Sequence, residues 1–284
     1  MNVKQWAMTV ATLLVVLMTS PVLAIASCGN RVDIGRGPRL IILGLTADQR
    51  LIQFRECTPG NVYEIGAVYG LQSPDTALVG IDFRVQGGQL YGVGNGGGIY
   101  TIDTSTAAAT RVSHLTVPLD GNSFGVDFNP AADRLRIIGN TGQNLRHNVN
   151  AGGMTIADGV LNYAAGTPAT GVTAVAYTNN DLEPTSGTTL FDIDTSLNQV
   201  IIQSPPNAGS LVATGQLTVD PDTPAGFDIY TDLQDGMALN NRGFASLVVG
   251  GTAGFYRMNI LTGQAIVIGT FYDQVIDIAI PLNQ

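Results

Sequence analysis

Three of the twelve arginines fall within thirteen residues, at Arg134, Arg136 and Arg146, and Asn144 lies beside the last of them. A guanidinium presents planar, paired donors that match the oxygens of a carboxylate or phosphate. Alternate side chains of a strand share a face, so Arg134 and Arg136 project together, and Asn144 and Arg146 do likewise. Folded as a hairpin, Arg134, Arg136, Asn144 and Arg146 make a ligand-binding surface for an anion such as a uronic acid sugar. The competing role is internal, with the arginines paired to Asp127, Asp133 or Asp158, because buried charges need partners.

A second set of carboxylates recurs. Gly80-Ile81-Asp82-Phe83, Gly125-Val126-Asp127-Phe128, Gly226-Phe227-Asp228-Ile229 and Val275-Ile276-Asp277-Ile278 share one pattern, and Ala174-Val175-Ala176-Tyr177 is a degenerate copy. The Asp positions, with Ala176 standing in, are 45, 49, 52 and 49 residues apart. A carboxylate inside a strand persists by accepting backbone or hydroxyl hydrogen bonds. Asp82, Asp127, Asp228 and Asp277 therefore read as structural pins. A central cation site is the functional counterpart, and Ala176 interrupts it.

Other patterns point less far. Gly92 to Gly97 matches G-x-G-x-x-G, but strand residues follow where a dinucleotide site needs a helix. Gly121-Asn122-Ser123-Phe124-Gly125 matches G-x-S-x-G in a loop that leads into a strand, the reverse of a nucleophile elbow. Its only partners would be His114 and His147, the two histidines. Asp192 to Asn198, Asp220 with Asp222, and Asn179 to Glu183 are oxygen-rich turns that suit weak calcium binding, or simply turn formation. No metal site and no cofactor is assigned.

The elements that must position these residues are short strands separated by Gly, Asn, Asp and Pro. Val79–Phe83, Gln89–Val93, Ile99–Asp103 and Thr110–Leu115 parse as one four-stranded unit. A strand-rich unit at this period indicates a β-propeller, all-β, with five four-stranded blades. A sixth would have to lie between Tyr177 and Thr218. The first unit lacks its inner strand and the chain ends on an orphan one, Val275–Ile280. Joining them closes the ring and removes the open edge.

Residues 1–26 read as a secretory signal peptide, with Lys4, an apolar stretch from Ala7 to Met18, and Ala24-Ile25-Ala26 at its exit. Residues 27–39 read as a tail and residues 40–284 as the propeller domain. Location is then periplasmic, extracellular or at the cell surface, with no transmembrane segment in the mature chain. That mature chain carries 12 Arg, 19 Asp, 3 Glu and no Lys, a net charge of −10. Such an excess disfavours nucleic acid and anionic membrane. The missing lysine excludes Schiff-base catalysis. Cys28 and Cys57 fit one disulfide in an oxidising compartment, although Ile25-Ala26-Ser27-Cys28 also fits a lipoprotein cleavage site.

The G-h-D-F phrase, Asn129-Pro130-Ala131-Ala132-Asp133-Arg134-Leu135-Arg136, Thr141-Gly142-Gln143-Asn144-Leu145-Arg146 and Ser204-Pro205-Pro206-Asn207-Ala208-Gly209 together resemble domain of unknown function 4394. That is a bacterial family of exported, propeller-like repeat proteins, and the resemblance spans Leu40 to Pro281. It implies the fold and no reaction. The expectation is an exported, non-enzymatic module for an extracellular small-molecule, carbohydrate or protein ligand. A secreted carbohydrate hydrolase or lyase using Asp carboxylates, with or without calcium, is the alternative.

Overall fold

The structure is a computed structural model that describes residues 39–284. The expected signal peptide and Cys28 lie outside the described residues. Strands β1 (Ile41–Thr46), β2 (Arg50–Arg55) and β3 (Thr58–Ala67) begin blade 1. Blade 2 is β4 (Leu78–Phe83), β5 (Leu90–Gly94), β6 (Gly98–Ile102) and β7 (Ala109–His114). Blade 3 is β8 (Phe124–Asn129), β9 (Arg134–Gly139), β10 (Asn144–His147) and β11 (Thr155–Ala157). A small hairpin, β12 (Asn162–Ala164) and β13 (Thr167–Pro168), precedes blade 4. Blade 4 is β14 (Val172–Tyr177), β15 (Leu190–Asp194), β16 (Gln199–Gln203) and β17 (Leu211–Gln216). Blade 5 is β18 (Pro221–Gln234), β19 (Met237–Val249), β20 (Thr252–Met258) and β21 (Ala265–Thr270).

The last strand, β22 (Val275–Ala279), supplies the inner edge of blade 1. It runs antiparallel to β1, with Leu43 opposite Ala279, Gly44 opposite Ile278 and Leu45 opposite Asp277. The ring therefore closes as expected, with five antiparallel four-stranded blades. The long interval from Tyr177 to Thr218 holds no sixth blade. It is taken up by the loop between β14 and β15 and a short 3-10 turn at Pro206–Ala208. Cys57 lies in the turn between β2 and β3. Among the described residues no helix is long and apolar enough to cross a membrane.

Each blade is apolar on both faces, and the core divides into five clusters that match the five junctions between blades. Phe54, Phe244, Phe255 and Phe271 fill the junction of blades 5 and 1, where Phe54 meets Phe255 and Phe271 edge-on at 5.0 Å. The junction of blades 3 and 4 has the smallest cluster. The glycine of the repeated phrase is set by close approach of inner strands. A side-chain carbon on Gly125 would meet the Ala174 backbone at 2.8 Å, and one on Gly226 would meet Asp277 Cα at 2.6 Å.

The recurrent aspartates hand the ring from blade to blade. Asp277 Oδ2 accepts the Ile81 N–H at 2.8 Å, Asp82 Oδ2 the Phe128 N–H at 2.7 Å, and Asp127 Oδ1 the Tyr177 N–H at 3.1 Å. Asp228 Oδ2 accepts the Ile280 N–H at 2.6 Å and links blade 5 back to blade 1. Blade 4 has Ala176 at this position, and a different clasp holds it to blade 5. Asn179 and Asn241 exchange two bonds, Asn179 N–H to Asn241 Oδ1 at 3.0 Å and Asn241 Nδ2 to Asn179 Oδ1 at 2.7 Å. Asn180 adds N–H to Thr231 Oγ1 and Nδ2 to the Ile229 carbonyl. Removing this clasp leaves partly buried polar groups without partners. Asn241→Ala is expected to cost about 1–3 kcal/mol in urea unfolding. An unchanged midpoint would show that apolar packing alone holds blades 4 and 5 together.

Candidate functional site

Beside the ion pairs of Arg50 with Asp48, Glu64 and Asp273 and of Arg242 with Glu56 and Asp232, charged residues gather on the ring axis and at one mouth. On the axis, oxygens of Asp82, Asp127 and Asp228 lie within 4.8 Å of one another, a spacing that a single divalent ion could bridge. All four inner-strand aspartates are buried. Burial pushes Asp228 up to about 7. Burial first, and neighbouring carboxylates second, raise Asp82 and Asp127. Asp277 is raised chiefly by burial. The folded chain thus holds protons that an unfolded chain, with carboxyl groups near about 3.9, has already lost. This contribution to stability is complete below about pH 4 and is lost as pH rises through 7. In buffer containing a chelator, Tm is expected to fall between about pH 5 and 8, and Asp228→Asn to flatten that slope. A wild-type Tm that rises over this range would contradict the assignment.

The mouth site starts from the register of blade 3. Asp127 is opposite Arg136, Asn129 opposite Arg134, and Arg146 opposite Arg136. Residues directly opposite in neighbouring strands share a face. Arg134, Arg136 and Arg146 accordingly project together toward blade 4, as the alternation predicts. They line a cavity of about 190 Å³ with Asn129, Ala132, Tyr177, Pro206 and Asn207. Its rim is the turn between β8 and β9 and the 3-10 turn of blade 4.

The three guanidinium groups are held differently. Arg136 is buried, and its donors reach Tyr177 Oη, Asn144 Oδ1, Asp158 Oδ2 and Asn207 Oδ1. Arg146 donates Nε to Asp158 Oδ1 at 3.0 Å, and its side chain stays 34% exposed against 4% for Asp158. Arg134 donates only to the carbonyls of Ala132 and Asp133. One carboxylate, Asp158, therefore pairs with two of the three cations, and Arg134 has no carboxylate partner among the described residues. Asp133 pairs with Arg84 of blade 2, and burial favours the protonated form of Asp127, so neither neutralises the cluster. Asn144 is buried behind the cavity, donating Nδ2 to the carbonyls of Gly159 and Pro206. It positions Arg136 instead of facing the opening.

Behind the pocket, the same junction holds an unusual carboxyl group. Asp192 is fully buried on the face of blade 4 that carries Val175, Leu190 and Ile201, and neither oxygen has a hydrogen-bond partner among the described residues. Burial raises it well above the ordinary carboxylate range, with nearby Arg136 acting in the opposite direction. A buried polar group without partners is costly. Asp192→Val is expected to raise stability at pH 7.5 by about 1–3 kcal/mol. A loss of stability would mean that Asp192 serves as a counter-charge to Arg136.

The residues of the remaining motifs make local contacts. The hydroxyl of Ser123 in the G-x-S-x-G match is buried with no partner among the described residues, while His147 bonds Ser113 Oγ at 2.8 Å and Thr155 Oγ1 at 3.0 Å. Burial lowers His147 to about 4, with His114 and Arg134 adding to the shift. Gly92 to Gly94 end β5, and Asn95 to Gly97 form the turn into β6. Asp194 Oδ1 accepts the N–H groups of Ser196 and Leu197, the bonding of a turn aspartate. Asp181 accepts from Glu183 N–H, Ser186 Oγ and Ala238 N–H.

A five-bladed propeller with an arginine-lined cavity at one mouth is thus the class defined by fold and site. The chain belongs to the family described as domain of unknown function DUF4394, whose model matches residues 50–279. Three of the phrases that carried the resemblance meet at this cavity: Asn129 to Arg136, Asn144 to Arg146, and the turn containing Asn207. No curated protein matches the chain. Among solved structures, a protein from Lactobacillus plantarum is 14% identical, over 86% of this chain and 99% of that one, with a TM-score of 0.43. A Bacteroides thetaiotaomicron protein of unknown function is 14% identical, over 88% and 68%, with a TM-score of 0.49. An auxiliary nutrient binding protein from Bacteroides ovatus is 12% identical, over 77% and 56%, with a TM-score of 0.41.

Proposed function

We propose that the protein is an exported, non-enzymatic binding module that takes the carboxylate of a small ligand into the arginine cavity between blades 3 and 4. The observation that carries this reading is the charge imbalance: among the described residues Asp158 pairs with Arg136 and Arg146, while Arg134 bonds only the carbonyls of Ala132 and Asp133. The surplus stands in a chain whose overall charge is −9. In such a field a cationic pocket selects anions locally while the acidic surface repels polyanions. Arg136, fixed by four side chains, acts as the floor. Arg134 and Arg146 keep donors for the ligand, and their charge-assisted bonds supply orientation and affinity.

The carbohydrate-hydrolase alternative needs two carboxyl groups facing one sugar, one acid and one base or nucleophile. Asp181 and Glu183 line a common cavity, but Asp181 accepts from Glu183, Ser186 and Ala238 of blade 5, and Glu183 accepts from Thr185. Those bonds favour binding over hydrolysis.

Titration calorimetry with galacturonate and galactose tests the proposal. Galacturonate is expected to bind with an affinity that falls as salt is added, and galactose not to bind. Arg146→Ala and Arg134→Ala should each weaken galacturonate binding by about tenfold with Tm preserved, the scale of one charged hydrogen bond. Equal binding of both sugars, or an Arg146→Ala protein that binds unchanged, would overturn it.

A further inference from the structure

The arginine cavity has a neighbour of opposite character. A second cavity, of about 260 Å³, lies across the turn between β8 and β9: Asn129, Ala132 and Arg134 line the first, and Pro130 and Ala131 line the second. Its other walls are Gln86 of blade 2 and the loop between β14 and β15. That loop brings Asp181 and Glu183, and no basic side chain lines the space. Asp181 is committed, since Oδ1 accepts from Glu183 N–H and Oδ2 from Ser186 and Ala238. Glu183 is half-buried and lines the cavity, and its bonds from the Thr185 N–H and hydroxyl both fall on Oε1, which leaves Oε2 without a bond among the described residues. Gln86 is anchored through Nε2 to the Pro130 carbonyl, so the wall between the cavities is braced from the blade 2 side.

We propose that the ligand is a zwitterion: its carboxylate enters the arginine cavity, its ammonium group meets Glu183, and its backbone crosses the turn from Asn129 to Arg134. This rests on the anion-binding reading of the arginine cavity. Two pockets of opposite charge on either side of one short turn orient a dipolar molecule in a single sense. The same arrangement penalises a ligand with two negative ends, because the second would face Glu183. A ligand that bridges both sites engages the second as an intramolecular event, so modest contacts at each end combine.

Calorimetry with short peptides of one length separates the two ends. The probes are triglycine, with both charges, N-acetyl-triglycine, with the carboxylate alone, and triglycinamide, with the ammonium alone. Galacturonate is the carboxylate-only control. Triglycine is expected to bind about tenfold tighter than N-acetyl-triglycine, triglycinamide to bind weakest, and Glu183→Gln to abolish the tenfold difference. Gln at this position retains an oxygen for the Thr185 bonds, and an unchanged Tm verifies the fold. Equal binding of triglycine and its acetylated form, a preference that survives Glu183→Gln, or binding of galacturonate alone would overturn the zwitterion and leave the arginine cavity standing. No binding of any carboxylate probe would overturn both.

Discussion

The structure depends on one constraint: neighbouring inner strands approach so closely that a carboxylate on one can accept a backbone N–H from the next. Inner strands at a propeller axis lack a partner on their inward edge, so their N–H groups need acceptors from elsewhere. The aspartate side chain provides one without bringing in another strand. The approach also explains the glycine two residues earlier, since Gly125 and Gly226 have no room for a side-chain carbon. In blades 2, 3 and 5 glycine and aspartate are therefore two halves of one device, while Asp277 of blade 1 works with Val275 in the glycine position. The device carries an electrostatic cost, because it concentrates carboxyl groups on the axis, where burial and mutual repulsion favour their protonated forms.

Where the device is missing, the ring changes character. Ala176 leaves blade 4 without its aspartate, and the Asn179, Asn180, Asn241 and Thr231 clasp replaces it at the mouth instead of at mid-strand. The opposite face of the same blade carries Asp192, Asp194, Gln199 and Gln203 among its apolar residues. That face packs on blade 3 through the smallest of the five clusters, with Leu161 and Ala169 from the inserted segment filling part of it. Polar groups thereby reach the junction, and a guanidinium can be buried there. The departure from the repeat and the candidate binding site involve one blade, as expected when function is grafted onto a repeating scaffold.

Blade number and ring closure were legible because the repeat is periodic, and the same period marks Asp82, Asp127, Asp228 and Asp277 as equivalent inner-strand positions. Partners from other blades were not legible. Tyr177 and Asn207 lie 41 and 71 residues from Arg136, and no local pattern marks them as its acceptors. Both stand in phrases that were noticed, yet their meeting is a property of the ring and not of any segment. The extension of β18 and β19 from Leu233 to Asn240 escaped notice for a different reason. Its residues are mostly exposed, so they carry no alternation, and the strands there persist by pairing with each other.

The arginine cluster raises the question of why a buried guanidinium is tolerated at all. Transfer of such a charge from water is expensive, and a single ion pair rarely offsets it. Arg136 meets the cost by complete bonding: a carboxylate, two amide oxygens and a phenol oxygen surround it. Asn144 is held in turn by the carbonyls of Gly159 and Pro206, so the acceptors are themselves fixed. A side chain held this firmly contributes field more than contact. It forms the floor of the cavity with Asp158, which is shared with Arg146, so the two guanidinium groups together carry one more charge than their common carboxylate. The more exposed arginines can then respond to a ligand without reorganising the blade, which is the condition for recognition by a preformed site.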